Sequence, residues 1–227
     1  MGKEHMSSQF HAELSELRLR LLEMGGKVEL MIATSMKSVV ERDSDLAGRT
    51  IALDAEINRM EVEIDQKCFH LLALRQPAAR DLRFVTLAMK IVIDLERIGD
   101  QCVNIAREAL ALNLVPQLKP YIDLPRMGEA ANRAVKLALD AFVSGDASTA
   151  HQICRDDRVV DELNDQLQRE LLTFMMEDPA TVERAMSITS ISNFLERIAD
   201  HATNIAEMVI FMVHGKDIRH ATIADPG

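Results

Sequence analysis

The sequence predicts an all-α protein made of two tandem antiparallel three-helix bundles, a spectrin-repeat-like arrangement of six helices. Three observations predict it. The chain has no Trp, one Tyr and 4% aromatic residues, while Leu, Ala, Met and Glu abound, which is a helix former's composition. Apolar residues recur at alternating spacings of four and three, as in Ile91, Leu95, Ile98, Cys102, Ile105 and Ala109, the period of a buried helical stripe. Finally, DLERIGDQCVNIA at Asp94 to Ala106 returns as FLERIADHATNIA at Phe194 to Ala206, and an internal repeat of that strength marks a duplicated structural unit.

The elements follow from the breaks between them. A first helix over 8–42 contains Gly25-Gly26, whose helical cost of about 1 kcal/mol per Gly predicts a kink or a close helix contact. ERDSDLAG (Glu41 to Gly48) ends it and opens a second helix over 46–75. RQPAARD (Arg75 to Asp81) separates that from a third over 78–113. The segment LVPQLKPYIDLP, Leu114 to Pro125, holds three of the six prolines and divides the chain into halves 1–115 and 116–227. Helices over 125–144, 147–176 and 180–214 then follow, separated by SGDAS (Ser144 to Ser148) and EDPAT (Glu177 to Thr181), each with an Asp suited to capping.

With 227 residues and 48% hydrophobic composition, the chain is long enough to bury a sizeable core. A net charge of −10 and a pI near 5.2 argue against nucleic acid, whose binding needs clustered Lys and Arg. The three cysteines, Cys68, Cys102 and Cys154, form no CxxC and lie in apolar helical patterns, which suits a reducing cytoplasm. Neither a signal-length apolar run nor an uninterrupted membrane-length one occurs. A cytoplasmic location is expected, with any membrane association made through partners.

Candidate chemistry lies in the repeated segment. Glu96 and Asp100, and again Glu196 and Asp200, stand four apart on one helical face, which sets two carboxylates about 6 Å apart, a spacing able to share a hard cation. The preceding helices offer Glu61 with Asp65 and Asp161 with Asp165. Aligning the apolar positions of those helices sets Glu61 against Asn164, so the two acidic sets are not equivalent. Two readings stand at this point: solvated acidic rows paired with basic neighbours, or a cation site kept in each half.

Several chemistries are disfavoured. ExxH, HExxH, GxxxxGK[ST] and GxSxG are all absent, and no nucleophile stands with a base. His201, beside Asp200, reads as a metal ligand, a hydrogen-bond partner or a surface residue, and its unmatched counterpart Gln101 favours the last. The turn with Arg75, Arg80, Asp81 and Arg83 has two readings, capping with salt bridging or a docking surface for an acidic partner. The second half carries EDPATVER there instead.

RQPAARDLR with DLERIGD, FLERIAD with NIAE, the early MGGKVE, the DSDLA break and the GKDIRH tail together resemble the PhoU family of bacterial phosphate-transport accessory proteins. The resemblance spans almost the whole chain in the expected order. It implies paired three-helix bundles, usually a cytoplasmic homodimer and not an enzyme. It further implies a negative regulator of the phosphate-starvation response and modulator of phosphate uptake, acting between the ATPase of the phosphate ABC transporter and a sensor histidine kinase. It implies that the E(D)xxxD motifs hold a divalent or trivalent metal (iron, zinc, manganese, magnesium or nickel), mapping onto Glu96, Asp100, Glu196 and Asp200. Glu61, Asp65, Asp161 and Asp165 would complete the sites, and Asn58 against Asp161 weakens the first. The competing reading is a metal-dependent phosphate-ester hydrolase or a metal-storage bundle.

Overall fold

The computed structural model describes residues 2–75, 77 and 79–215, with side chains from Gln9 onward. The GKDIRH tail beyond Gly215, and Gln76 and Ala78 of the RQPAARD turn, lie outside the described residues. The elements are α1 (Gly2–Val40), α2 (Ser44–Arg75), α3 (Ala79–Asn113), α4 (Asp123–Ser144), α5 (Ala147–Asp156), α6 (Arg158–Glu177), a 3-10 turn (Pro179–Thr181) and α7 (Val182–His214). Asp43 caps α2 by accepting from Leu46 N, Asp146 caps α5 by accepting from Ser148 N and Thr149 N, and Asp178 accepts from Ala180 N. Gly145 and Gly215, at φ 73° and 70°, end α4 and α7 in the left-handed conformation open to glycine.

The expected boundaries hold within a few residues except at two places. The first helix begins at Gly2 rather than residue 8. The fifth, expected unbroken over 147–176, is interrupted at Asp157. There Val160 N bonds back to Asp157 O in a tight i to i−3 contact of 3.1 Å, and the Asp157 carboxylate is held by Thr203 Oγ1 of α7 at 3.0 Å. Asp157 keeps helical angles of −50° and −40°, so the axis is disturbed rather than ended.

Helices α1, α2 and α3 form one bundle, and α4, α5–α6 and α7 the other; they join where α3 lies on α7 and α1 on α4. Leu95, Ile98, Cys102 and Ile105 of α3, and Leu195, Ile198, Ala202 and Ile205 of α7, are all fully buried. The repeated segment is therefore the central seam of the molecule. Arg83 Nε donates to Met212 O at 3.2 Å and His201 Nδ1 meets Asp94 Oδ1 at 2.8 Å, in one antiparallel register across that seam. His201 is thus a partly buried bridge between bundles, not the surface residue that its unmatched counterpart suggested, because α3 brings a carboxylate to it.

The α1–α4 seam relies on close approach. A Cβ on Gly25 would fall 2.1 Å from Leu139 Cδ2, and one on Gly128 2.8 Å from Met36 Cγ. Gly25 therefore serves a close contact, Gly26 beside it faces open space, and α1 runs through the pair unbroken. The same number of residues separates Gly25 from Met36 as Gly128 from Leu139, so each bundle offers the other a glycine hollow and a side chain to fill it. That reciprocity is the geometry of an isologous interface.

Candidate metal centres

The acidic rows sit on the outer edges of two helical hairpins, α2–α3 and α6–α7, because the 3.6-residue period turns each ExxxD away from the apolar seam beside it. In the first hairpin, Glu61 of α2 faces Glu96 and Asp100 of α3. Burial pushes the Glu61 carboxyl up from the ordinary range, and Asp65 and Asp100 push it further against the opposing charge of Arg97. Glu96 is raised likewise by burial, then by Asp100, Glu61 and Asp54. Arg97 lies 3.5 Å from both Glu96 Oε2 and Asp100 Oδ2, giving this row a counter-ion of its own.

In the second hairpin, Asp157 and Asp161 of α6 and its entry face Glu196 and Asp200 of α7. Burial raises all four carboxyls. Repulsion follows as the next cause: Asp157 on Asp161, Asp200 on Glu196, and Asp161 on Asp200. Among the described residues none of the four has a basic side chain within ion-pair distance; His201, on Asp200, and Arg197 soften their mutual repulsion from outside.

The structure therefore brings together six of the eight expected acids in two groups, Glu61 with Glu96 and Asp100, and Asp161 with Glu196 and Asp200. Asp65 and Asp165 stand one turn further along, each acting on its own helix neighbour, Glu61 or Asp161. Asp54 and Asp157 join the groups and were not among the expected residues. The register that sets Glu61 against Asn164 also sets Asp54 against Asp157, so the signal was available. Beyond each group the hairpins differ. Asn164, Gln168 and Asn193 form a carboxamide triad, in which Asn193 Oδ1 accepts from Gln168 Nε2 at 2.9 Å and from Asn164 Nδ2 at 3.3 Å, where the first hairpin has Glu61, Asp65 and Ile93.

Both groups offer carboxylate oxygens without His or thiolate, a donor set for hard cations. Asp54 Oδ1 and Asp65 Oδ1 are buried with no hydrogen-bond partner among the described residues, and such acceptors cost free energy until something meets them. Among the described residues, no three of the His, Cys, Asp and Glu side chains converge into a ready coordination set. The donor chemistry suits a hard cation, and the side chains must turn inward to enclose one.

The RQPAARD turn is engaged within the chain. Arg75 pairs with Glu13 through two contacts of 2.6 and 2.9 Å, Arg83 donates to the Met212 carbonyl, and Arg80 reaches toward Gly145. Asp81 lies in the first turn of α3, where the helix dipole favours an acid. No helix among the described residues is long and apolar enough to cross a membrane.

Comparison with known proteins gives these hairpins a family. The PhoU domain model matches residues 21–109 and again 124–209, one copy per bundle. The phosphate-specific transport system accessory protein PhoU homolog of Pseudomonas putida is 44% identical over 95% of this chain and 85% of that protein, and the PhoU of Escherichia coli K12 is 37% identical over 96% and 90%. The crystal structure of PhoU from Pseudomonas aeruginosa superposes with a TM-score of 0.88 at 42% identity, covering 91% of this chain and all of that one. The phosphate transport system regulatory protein PhoU from Streptococcus pneumoniae superposes with a TM-score of 0.84 at 30% identity, covering 92% and 98%. These relatives are named as accessory and regulatory proteins rather than enzymes. With both domain copies matched and the fold shared over nearly its whole length, this chain belongs to the PhoU family.

Proposed function

We propose that this protein is a cytoplasmic adapter of phosphate transport that keeps the phosphate-starvation response off when phosphate is plentiful. It would contact the ATPase of the phosphate ABC transporter and the sensor histidine kinase of the phosphate two-component system, and act as a homodimer. The observation that carries this reading is the match to proteins named for the phosphate-specific transport system over 95% of the chain. The two bundles, taken as residues 1–115 and 116–227, serve as two related docking units on one rigid seam.

A hard or borderline divalent or trivalent cation belongs to the reading as a structural clamp on the hairpins. Asp157, Asp161, Glu196 and Asp200 would hold it in the second bundle. Glu61, Glu96, Asp100 and Asp54 would hold a weaker one in the first, with Asp65 and Asp165 at the margins. Bound there, the ion supplies charge neutralisation between facing helices.

The test is alkaline phosphatase activity in phosphate-rich medium, in a deletion strain carrying the wild-type gene or a Glu96→Ala, Asp100→Ala, Glu196→Ala, Asp200→Ala variant. Deletion is expected to raise the phosphatase and the wild-type gene to restore repression. A deletion that leaves it low removes the regulatory reading.

A further inference from the structure

The outer face of the α6–α7 hairpin changes character along its length. At one end stand Asp161, Glu196 and Asp200 without paired cations. Past the carboxamide triad, the other end exposes Leu172 at 56%, Met176 at 78%, Val182 at 40% and Met186 at 55%. The antiparallel register fixed by the Asn164–Asn193 and Asp157–Thr203 bonds sets Leu172 beside Met186 and Met176 beside Val182. Four exposed apolar side chains gathered at one hairpin tip are more than the scattered ones any soluble surface carries. Methionine makes such a surface adaptable to more than one apolar outline.

From this gradient we infer that the α6–α7 face docks a basic amphipathic helix of a protein partner. Its apolar stripe seats on the Leu172–Met186 tip and its Lys and Arg lie along the acidic end, in place of the cation that the same carboxylates would otherwise hold. The distance along α6 from Asp161 to Met176 is about 22 Å, so the complement is a helix of about four turns. Charge selects this occupant. A second copy would bring the same carboxylates against these, and an anionic membrane would be repelled by them. The α2–α3 hairpin repeats the plan more weakly, with Phe69 and Leu82 exposed at its tip but with Arg97 already on its acids. The inference rests on the adapter reading and specifies the chemistry of one contact within it.

The experiment uses the full chain in EDTA, so that no cation competes for the acids. The probe is a fluorescent synthetic peptide of about 20 residues with Lys at one end and a Leu stripe at the other, compared with a scrambled peptide of equal composition. Anisotropy titration should show the patterned peptide binding at least about tenfold tighter, a difference of about 1.4 kcal/mol. M176K with M186K should erase that preference, D161N with D200N should weaken binding and flatten its salt dependence, and L19K on the exposed face of α1 should change nothing. Circular dichroism checks that each variant is folded. Equal binding of both peptides, or no effect of the methionine changes, overturns the inference. So does a dimer that dissociates on M186K, which would make the face a self-interface. The adapter reading is judged separately, because a deletion strain that stays repressed defeats it whatever the peptides do.

Discussion

The two hairpins carry the same ExxxD on α3 and α7, yet they balance its charge by opposite means. In the first, Arg97 sits against Glu96 and Asp100, and the neutral Asn58 donates to Asp54 Oδ2 at 3.1 Å. The position matching Asn58 in the second is Asp161, and there four carboxylates face one another with, among the described residues, a Thr203 hydroxyl on Asp157 and no ion pair. One lobe is neutralised from within and the other is left to be neutralised from outside. A motif repeated in sequence thus need not repeat in function; the residues opposite it decide what it can hold.

The largest effect that would break this contrast is cation binding itself. Titrating Mn2+ or Zn2+ into metal-free protein should raise its stability, by about 2.7 kcal/mol once the ion is at a hundredfold its Kd. D161N with D200N should abolish most of that gain while E61Q with E96Q removes little, as read by calorimetry and elemental analysis. Equal losses would mean the lobes are equivalent. Next in size is the carboxamide triad: Asn193→Ile, which installs the first lobe's residue, removes the acceptor of the Asn164 amide while Gln168 keeps its bond to Asn164 Oδ1, and should cost about 1–3 kcal/mol in urea unfolding. The reverse change at the half-exposed Ile93 should fall within about 0.5 kcal/mol.

Much of this was legible in the sequence. Helix order, the caps at Asp43, Asp146 and Asp178, and the apolar seam follow from local chemistry, so they can be read locally. The α5–α6 interruption was not, because it depends on Thr203 reaching across from another helix to Asp157. His201 was misread for the same reason, its partner Asp94 lying on α3. The ExxxD acids were visible and the helix alignment already sets Asp54 against Asp157, but that these two face the ExxxD rows, and which lobe has its own counter-charge, emerge only when the hairpin packing is fixed.

A smaller test moves the first lobe toward the second. R97Q with N58D should cost the metal-free protein about 0.2–1 kcal/mol through lost exposed pairing, and should add one bound cation per chain by elemental analysis. An unchanged stoichiometry would show that Arg97 is not what sets the lobes apart. The smallest difference is in pH. Carboxyls raised in the folded state contribute stability that is fully present below their unfolded values, near 3.8 for Asp and 4.5 for Glu, and lost as pH rises through the raised ones. Metal-free protein should therefore gain stability as pH falls from neutrality toward that range. Below it the trend reverses, as Glu13 and Asp146, both held low by hydrogen bonds, become protonated. D161N with D200N should flatten the first slope slightly more than E61Q with E96Q, because four raised carboxyls crowd the second lobe and three the first.

The reciprocal glycine hollows at Gly25 and Gly128 bear on how such divergence arises. A symmetric pair of identical chains meeting through that seam would change both acidic faces with every mutation, and a substitution that suited one would be forced on the other. Two lobes written into one gene escape that bond. One copy can accept an asparagine at position 58 while the other keeps an aspartate at 161, and the shared seam holds both in place while their outer faces drift toward separate tasks.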